Sequence, residues 1–305
     1  MGKRLLLIAN ANAKTMTPRV REVITKALSA DYQVRVADTK RHGHAIHVAR
    51  GAAHEGFDLV VALGGDGTVN EVANGLAGSD VPLAVIPGGG TNVFARSLGI
   101  PQDPVEAVAE LLENGDRGPR RIPLGRVDDR YFVFGCGMGF DAAIVRQVER
   151  RQRLKKAVGE WYYVWSGLRI FLTRYDRRRP HVRMSWGEHL EHERTGLFLG
   201  IAQKASPFTY LGDRELRVCP DVTPEGGIDC FALDSLKVFR TVRIAVQAFG
   251  SAKHVRNRHA VYVHDEARIR LESDVPLPVQ MDGEYLGERT VVDMHCVPDA
   301  LALLG

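Results

Sequence analysis

At 305 residues, 45% hydrophobic and 26% charged, the chain has room for two domains and the composition of an ordinary globular protein. A net charge of +4 supplies no global field for nucleic acid, and no nucleic-acid-binding module accompanies the unevenly placed basic residues. Cys136, Cys219, Cys230 and Cys296 form no CxxC pair, which argues against a zinc site or disulfide framework and for a reduced, cytoplasmic chain.

The N-terminus MGKRLLLIANANAKT begins basic and apolar. Its apolar run is shorter than the ~7–15 residues of a signal peptide core, and Asn10 and Asn12 follow at once, so a buried first strand is expected. No stretch approaches the ~20 apolar residues of a membrane span, which makes any membrane contact peripheral.

The first 120 residues alternate short apolar runs with helical patterns, as a parallel α/β sheet does. Strands are expected at Arg4–Ala9, Tyr32–Ala37, Leu59–Leu63 and Leu83–Ile86, with helices at Pro18–Ser29, His44–Glu55, Val69–Leu76 and Pro104–Asn114. The last helix is punctuated by Asp103 as N-cap, Pro104 in the first turn, Glu106 for a capping box and Gly115 as the stop. Gly115–Gly125, rich in Gly, Pro and Arg, reads as a boundary between a domain at 1–120 and another at 121–291.

Beyond that boundary short strand-like runs dominate, as in a β-sandwich with inserted helices. They are Tyr131–Phe134, His181–Trp186, Leu197–Ala202, Ile228–Leu233, Ala260–Val263, Arg268–Leu271, Leu277–Gln280 and Thr290–His295. Helices are expected around Phe140–Thr173 and Lys237–Ser251. The GCGMG stretch at Gly135, Gly137 and Gly139 lacks a full dinucleotide motif and reads as a turn.

Two segments carry chemistry: Ala62–Glu71 (ALGGDGTVNE) and Pro87–Arg96 (PGGGTNVFAR). Each follows a buried strand and precedes a helix, where open α/β sheets bind ligands. Gly64, Gly65, Gly67, Gly89 and Gly90 let backbone approach phosphate oxygens, and the helix starts offer unpaired N–H groups. Asp66 could assist metal or nucleotide binding, while Thr68, Thr91 and Asn92 offer neutral hydrogen bonds. No GxxxxGK[ST] is present, which excludes a P-loop enzyme.

GGDGTVNEV and PGGGTNVFARSLGIP resemble the two signatures of the bacterial lipid kinases in the superfamily of diacylglycerol, sphingosine and NAD kinases. The resemblance extends Asn70 and Glu71 to the nucleotide set, places Asn10–Lys14 at the first phosphate loop and matches Thr39 to a nucleotide-contacting threonine. Near the C-terminus, QMDGEYL (Gln280–Leu286) matches the family's DGE motif. The resemblance implies an α/β nucleotide-binding domain and a β-sandwich, with ATP and the acceptor in the cleft between them. Residues from about 292 to 305 would return to the first domain. It also implies ATP with Mg²⁺, Glu284 as proton acceptor and Asp282 assisting; taken locally, Asp-Gly-Glu reads first as an ordinary hairpin turn, and the GGDGT segment upstream is what favours the catalytic reading.

The second loop departs from the pattern, with Gly90 in the place of the usual threonine and Val93 in that of an aspartate. In Pro220–Asp229 the family's aspartate for a structural Mg²⁺ aligns with Gly226, leaving Asp221, Glu225 and Asp229 as weak substitutes. Arg146–Lys156 is strongly basic and precedes Trp161, Tyr162, Tyr163, Trp165, Ile170 and Phe171, then Arg174 and Arg177–Arg179. That pattern suits either an anionic bilayer or a solvated helix with an aromatic core side. The expectation is a cytoplasmic, peripherally membrane-associated kinase of diacylglycerol or a similar lipid, with a homodimer left open. Another acceptor (sphingoid lipid, glycolipid or NAD) and a non-catalytic nucleotide-binding regulator are the alternatives.

Overall fold

The computed structural model describes residues 2–10, 17–115, 117–150, 167, 169–171, 175–212 and 214–304. The chain forms two compact units, Met1–Leu124 with Val297–Gly305, and Gly125–Cys296.

The first unit runs β1 (Lys3–Ala9), α1 (Pro18–Leu28), β2 (Tyr32–Asp38), α2 (His44–Glu55), β3 (Leu59–Gly64), α3 (Asp66–Leu76), β4 (Leu83–Pro87), α4 (Val93–Ser97) and α5 (Pro104–Asn114). β4, β3, β1 and β2 lie side by side in parallel, and Leu303 of the last strand, β16 (Glu284–Leu303), pairs with Leu83 on the far edge of β4. β3 and β4 are buried at every position, because strands covered on both faces need apolar residues throughout rather than alternation. Leu5, Leu7, Val61, Leu63 and Ile86 pack beneath Ile24 and Leu28 of α1 and Val108 and Leu111 of α5. Each such aliphatic side chain contributes about 1.5–3 kcal/mol by leaving water.

α5 starts where its punctuation indicates: Asp103 Oδ1 accepts from the Val105 and Glu106 N–H groups at 2.8 and 3.1 Å. α3 starts three residues earlier than the apolar pattern suggests, at Asp66 rather than Val69. A carboxylate in the first turn complements the positive helix end, which offsets the poor helix propensity of Gly67. The expected linker also gives way, since Arg120–Val127 forms strand β5.

The second unit is antiparallel. Its strands are the end of β5, β6 (Arg130–Phe132), β7 (Gly135–Met138), β8 (Val182–Trp186), β9 (His192–Leu197), β10 (Leu199–Gln203), β11 (Thr209–Leu211), β12 (Arg214–Leu216), β13 (Ile228–Leu233), β14 (Ala260–Glu266), β15 (Arg268–Met281) and residues 284–296 of β16. The main order is β14-β13-β10-β7-β15-β16, with β8 on β15 and β9 on β8. Cys230 and Ala232 of β13 enter one apolar layer with Met184, Leu271 and Met281, whereas Phe231 and Leu233 enter another with Phe198 and Ile244. That alternation gives the sandwich its two-sided packing.

Helix α6 (Phe140–Glu149) follows β7, and α7 (Val238–Ala248) follows β13. Most of the continuation expected toward Thr173, including Trp161, Tyr162, Tyr163 and Trp165, lies outside the described residues, as do residues 11–14 of the first phosphate loop. Ile170 and Phe171 are buried, at 6% and 5% exposure, and so belong to the core rather than to a lipid-facing patch.

GCGMG is a strand, not a turn: β7 pairs with β10 and β15 at the centre of the sheet. Its glycines answer to neighbours. A Cβ on Gly137 would fall 1.9 Å from Asp141 Oδ2, and one on Gly135 would fall 3.0 Å from the Ala202 carbonyl. Only glycine lets the start of α6 and the neighbouring strand approach so closely.

Candidate functional site

In the first unit the candidate residues gather at the carboxyl ends of β1, β2, β3 and β4. Asn10 follows β1, with its N–H on the Leu63 carbonyl at 3.0 Å and its side-chain amide on Thr68 Oγ1 at 3.4 Å. Thr39 follows β2, and its N–H donates to the Ala9 carbonyl at 2.9 Å. Gly64 ends β3, and the Gly88 N–H reaches its carbonyl at 2.8 Å, which joins the two glycine loops. The loops touch where both lack a side chain: a Cβ on Gly89 would stand 2.8 Å from Gly65 Cα.

The polar residues of these loops divide by what their side chains already hold. Asp66 Oδ1 accepts from the Phe94 N–H at 3.1 Å, so its carboxylate ties the start of α3 to the second loop. Burial pushes its pKa up, and backbone N–H groups of the second loop pull it back. Glu71 accepts from the Gly43 and Ala45 N–H groups at 2.8 and 3.0 Å, which makes it the cap of α2. Asn92, in the left-handed region at φ 48°, accepts from the Gly89 N–H at 2.9 Å and donates to Gly89 O and Gln102 Oε1 at 3.2 Å. Asn70 accepts from the Asn74 amide inside α3. Asp66 and Asn92 thus brace the loops, whereas Glu71 and Asn70 serve α2 and α3.

Open positions remain at Gly67 and Gly90, where an added Cβ would meet nothing within 4 Å, and at the half-buried Thr91 that follows Gly90. With the Gly67 N–H in the first turn of α3, where the Thr68 and Val69 N–H groups already donate to the Gly65 carbonyl, this set offers a place for the phosphates of a nucleotide. Among the described residues, no group of three or more His, Cys, Asp or Glu side chains could hold a metal.

In the second unit the DGE motif is a two-residue hairpin turn. Met281 pairs with Glu284, and Asp282 and Gly283 take φ of 48° and 79°, the signs of a type I′ turn. Asp282 and Glu284 therefore do not share a strand face. The Asp282 carboxylate accepts from the N–H groups of Val133, Phe134 and Gly135 at 2.8, 3.0 and 2.8 Å. Its own N–H donates to the Gly135 carbonyl at 2.7 Å. Glu284 is half-exposed, and its Oε2 meets Arg130 Nη2 at 2.8 Å. Asp282 is thus the anchor of the turn, and Glu284 is the carboxylate it presents.

Arg130 has no local sequence signal, because it lies 154 residues from its partner. Gln280 extends the network: its Oε1 accepts from the Gly283 N–H at 3.0 Å, and its Nε2 donates to Asp141 Oδ2 at 3.1 Å. Asp141 is buried at 7% exposure, with Oδ1 lacking a partner. Burial raises its pKa to about 6, partly offset by the Gln280 hydrogen bond. The folded carboxyl then keeps its proton to about pH 6, while the unfolded one loses it near 3.8. Stability falls as pH rises through that window, by about 3 kcal/mol in all. Asp141→Asn should accordingly melt above the wild type at pH 7.5, with the gap shrinking to about a third by pH 4.5 and closing below about pH 3.8. A gap independent of pH in calorimetry would contradict this.

The segment Pro220–Asp229, where Gly226 in the place of the family's aspartate already put a structural Mg²⁺ in question, does not fit one. Lys204, 1% exposed, points its ammonium at the carbonyl oxygens of Pro224 and Gly227, at 3.4 and 3.2 Å, and at that of Gly226. Burial pulls its pKa below the ordinary ammonium value, and Cys296, Asp229 and Asp265 push it back. Asp229 is occupied nearby, accepting from the Tyr262 hydroxyl, the Asp265 N–H at 2.9 Å and His264 Nδ1 at 2.8 Å. A side-chain cation fills the carbonyl cradle.

Residues 4–127 match the diacylglycerol kinase catalytic domain, and residues 136–305 match the YegS C-terminal NAD kinase beta sandwich-like domain. The chain is 30% identical over 296 residues to a diacylglycerol kinase of Bacillus subtilis (strain 168), covering 93% of this chain and 91% of that one. It is 26% identical over 294 residues to a diacylglycerol kinase of Staphylococcus aureus (strain JH9), covering 94% and 88%. A crystal structure of a diacylglycerol kinase from Bacillus anthracis str. Sterne shares the fold, with a TM-score of 0.70 at 20% identity over 99% of this chain and 96% of that one.

Proposed function

The chain belongs to the diacylglycerol kinase family, and we propose that it transfers the γ-phosphate of ATP to a hydroxyl of diacylglycerol or a similar lipid. The observation that carries the reading is the pair of glycine loops braced by Asp66 and Asn92, with Gly67 and Gly90 open beside the start of α3. Such a surface suits a polyphosphate, whose charge is met by backbone N–H groups that need no rearrangement. Phosphoryl transfer asks little else of a protein than positioning, charge neutralisation and a base for the acceptor.

ATP supplies the phosphoryl group when bound. Gly67, Gly90 and Thr91 would hold its phosphates, and Asn10 and Thr39 stand at neighbouring strand ends. Glu284 would take the proton of the acceptor hydroxyl at a carboxylate oxygen, with Arg130 orienting it and the Asp282 anchor fixing the turn. No helix among the described residues is long and apolar enough to cross a membrane. We place the enzyme at the bilayer surface, where its acceptor resides.

The test is transfer of radiolabelled γ-phosphate from ATP, with Mg²⁺, to diacylglycerol, sphingosine, ceramide and NAD, the lipids presented in mixed micelles. Labelled phosphatidic acid is the expected product. Label confined to another acceptor would keep the chemistry and replace the substrate. No label on any acceptor, with ATP still bound, would favour a nucleotide-binding regulator.

A further inference from the structure

Helix α7 turns its apolar residues the wrong way for a globular protein. Phe239 is 81% exposed, Val246 67%, Val242 52% and Val238 46%, while the helix buries only Ile244 and Ala248. Val238, Val242 and Val246 recur every fourth residue, so with Phe239 they form one continuous stripe. The other exposed large apolar residues among those described, Val23, Val105 and Val291, lie far apart in sequence and form no such run. Single exposed apolar residues need no explanation; a stripe of four on one helix does.

Along the chain, the charge within and just after the stripe has one sign. From Lys237 to Arg258 the chain carries Lys237, Arg240, Arg243, Lys253, Arg256 and Arg258, and no acidic residue. Arg243 is exposed beside the stripe, and the short 3₁₀ turn Lys253–Arg256 continues the basic run. An apolar stripe on a segment whose only charged residues are cations matches an anionic bilayer, where aromatic and aliphatic side chains enter the acyl boundary and Lys and Arg meet phosphates. We propose that α7 lies in the membrane interface and docks the second unit on anionic phospholipid. This rests on the lipid kinase reading only for its purpose, since it supplies the surface from which a lipid acceptor would be reached.

The test measures binding, so it stands apart from turnover. Wild-type chain and the Phe239→Ser/Val242→Ser/Val246→Ser variant are sedimented with vesicles of equal phosphatidylglycerol and phosphatidylcholine, and with vesicles of phosphatidylcholine alone. The wild type should partition onto the anionic vesicles, and the variant should bind them more than about tenfold more weakly. Its melting temperature should stay unchanged, because the replaced side chains face solvent. Arg240→Glu/Arg243→Glu should weaken binding and flatten its salt dependence. Phe239→Ser alone serves should the triple variant fail to fold. Equal partitioning of wild type and variant would overturn the proposal. So would a wild-type dimer that the variant splits while neither binds vesicles, because the stripe would then belong to a second copy. If the kinase reading fails, vesicle binding persists while no acceptor is labelled; if the docking fails, a short-chain soluble acceptor is still labelled.

Discussion

Replacing Glu284 with glutamine should lower kcat on the lipid acceptor by about 10²–10⁴-fold, the usual contribution of a positioned general base. Nucleotide affinity should hardly move, since the glycine loops belong to the other unit of the fold. The structure also makes the variant a clean one. Glu284 is half-exposed, and its partnership with Arg130 is a surface ion pair, which typically contributes only about 0–1 kcal/mol. The turn itself hangs on Asp282 and its three backbone donors, which the substitution leaves alone. Lost turnover at an unchanged melting temperature would therefore report chemistry. Turnover at the wild-type rate would remove Glu284 from the reaction, whatever the acceptor.

Lys204→Met should destabilise the second unit by about 3–5 kcal/mol, which is the larger structural effect. Methionine nearly matches the volume of lysine, yet offers no donor to the carbonyls of Pro224, Gly226 and Gly227. Each buried acceptor left without a partner costs about 1–3 kcal/mol. A fall of roughly 10 °C in melting temperature is expected for a unit of this size. Chelation by EDTA should leave the melting temperature of the nucleotide-free wild type unchanged, because the cation of the cradle belongs to the chain. A melting temperature unmoved by Lys204→Met, or lowered sharply by EDTA, would contradict this account.

What could be read from the sequence follows what is local. α2 and α5 span the residues that their periodicity and punctuation mark, His44–Glu55 and Pro104–Asn114. The parallel strands declare themselves because burial on both faces demands an unbroken apolar run. Signals that depend on distant partners stay silent. β7 looks like a turn until Asp141 is packed on Gly137, and Arg268–Leu271 and Leu277–Gln280 look like two strands although they are one, β15, with a register shift between Glu272 and Leu277. The glycine loops are legible, but the duties of their polar residues are not. Glu71 stands in a nucleotide signature and yet caps α2, 26 and 28 residues back. Lys204 follows an apolar strand with nothing nearby to mark it, since its carbonyl partners come 20 to 23 residues later.

β16 carries a consequence for how the protein is made. Its first residue is Glu284, and its end completes the first unit: Leu303 pairs with Leu83, the Leu304 N–H donates to the Leu83 carbonyl at 2.9 Å, and Gly78 donates to Ala300 at 2.8 Å. Vectorial synthesis delivers β1 to β4 early, and domains generally fold in that order. Here the ribosome must translate the whole second unit before the outer edge of β4 finds its neighbour. Until then the nascent sheet keeps an apolar edge open, the kind of surface that invites pairing with other chains and recruits chaperones. A fragment cut at Leu124 would inherit that edge permanently, whereas one that grafts residues 297–304 back beside β4 would close it.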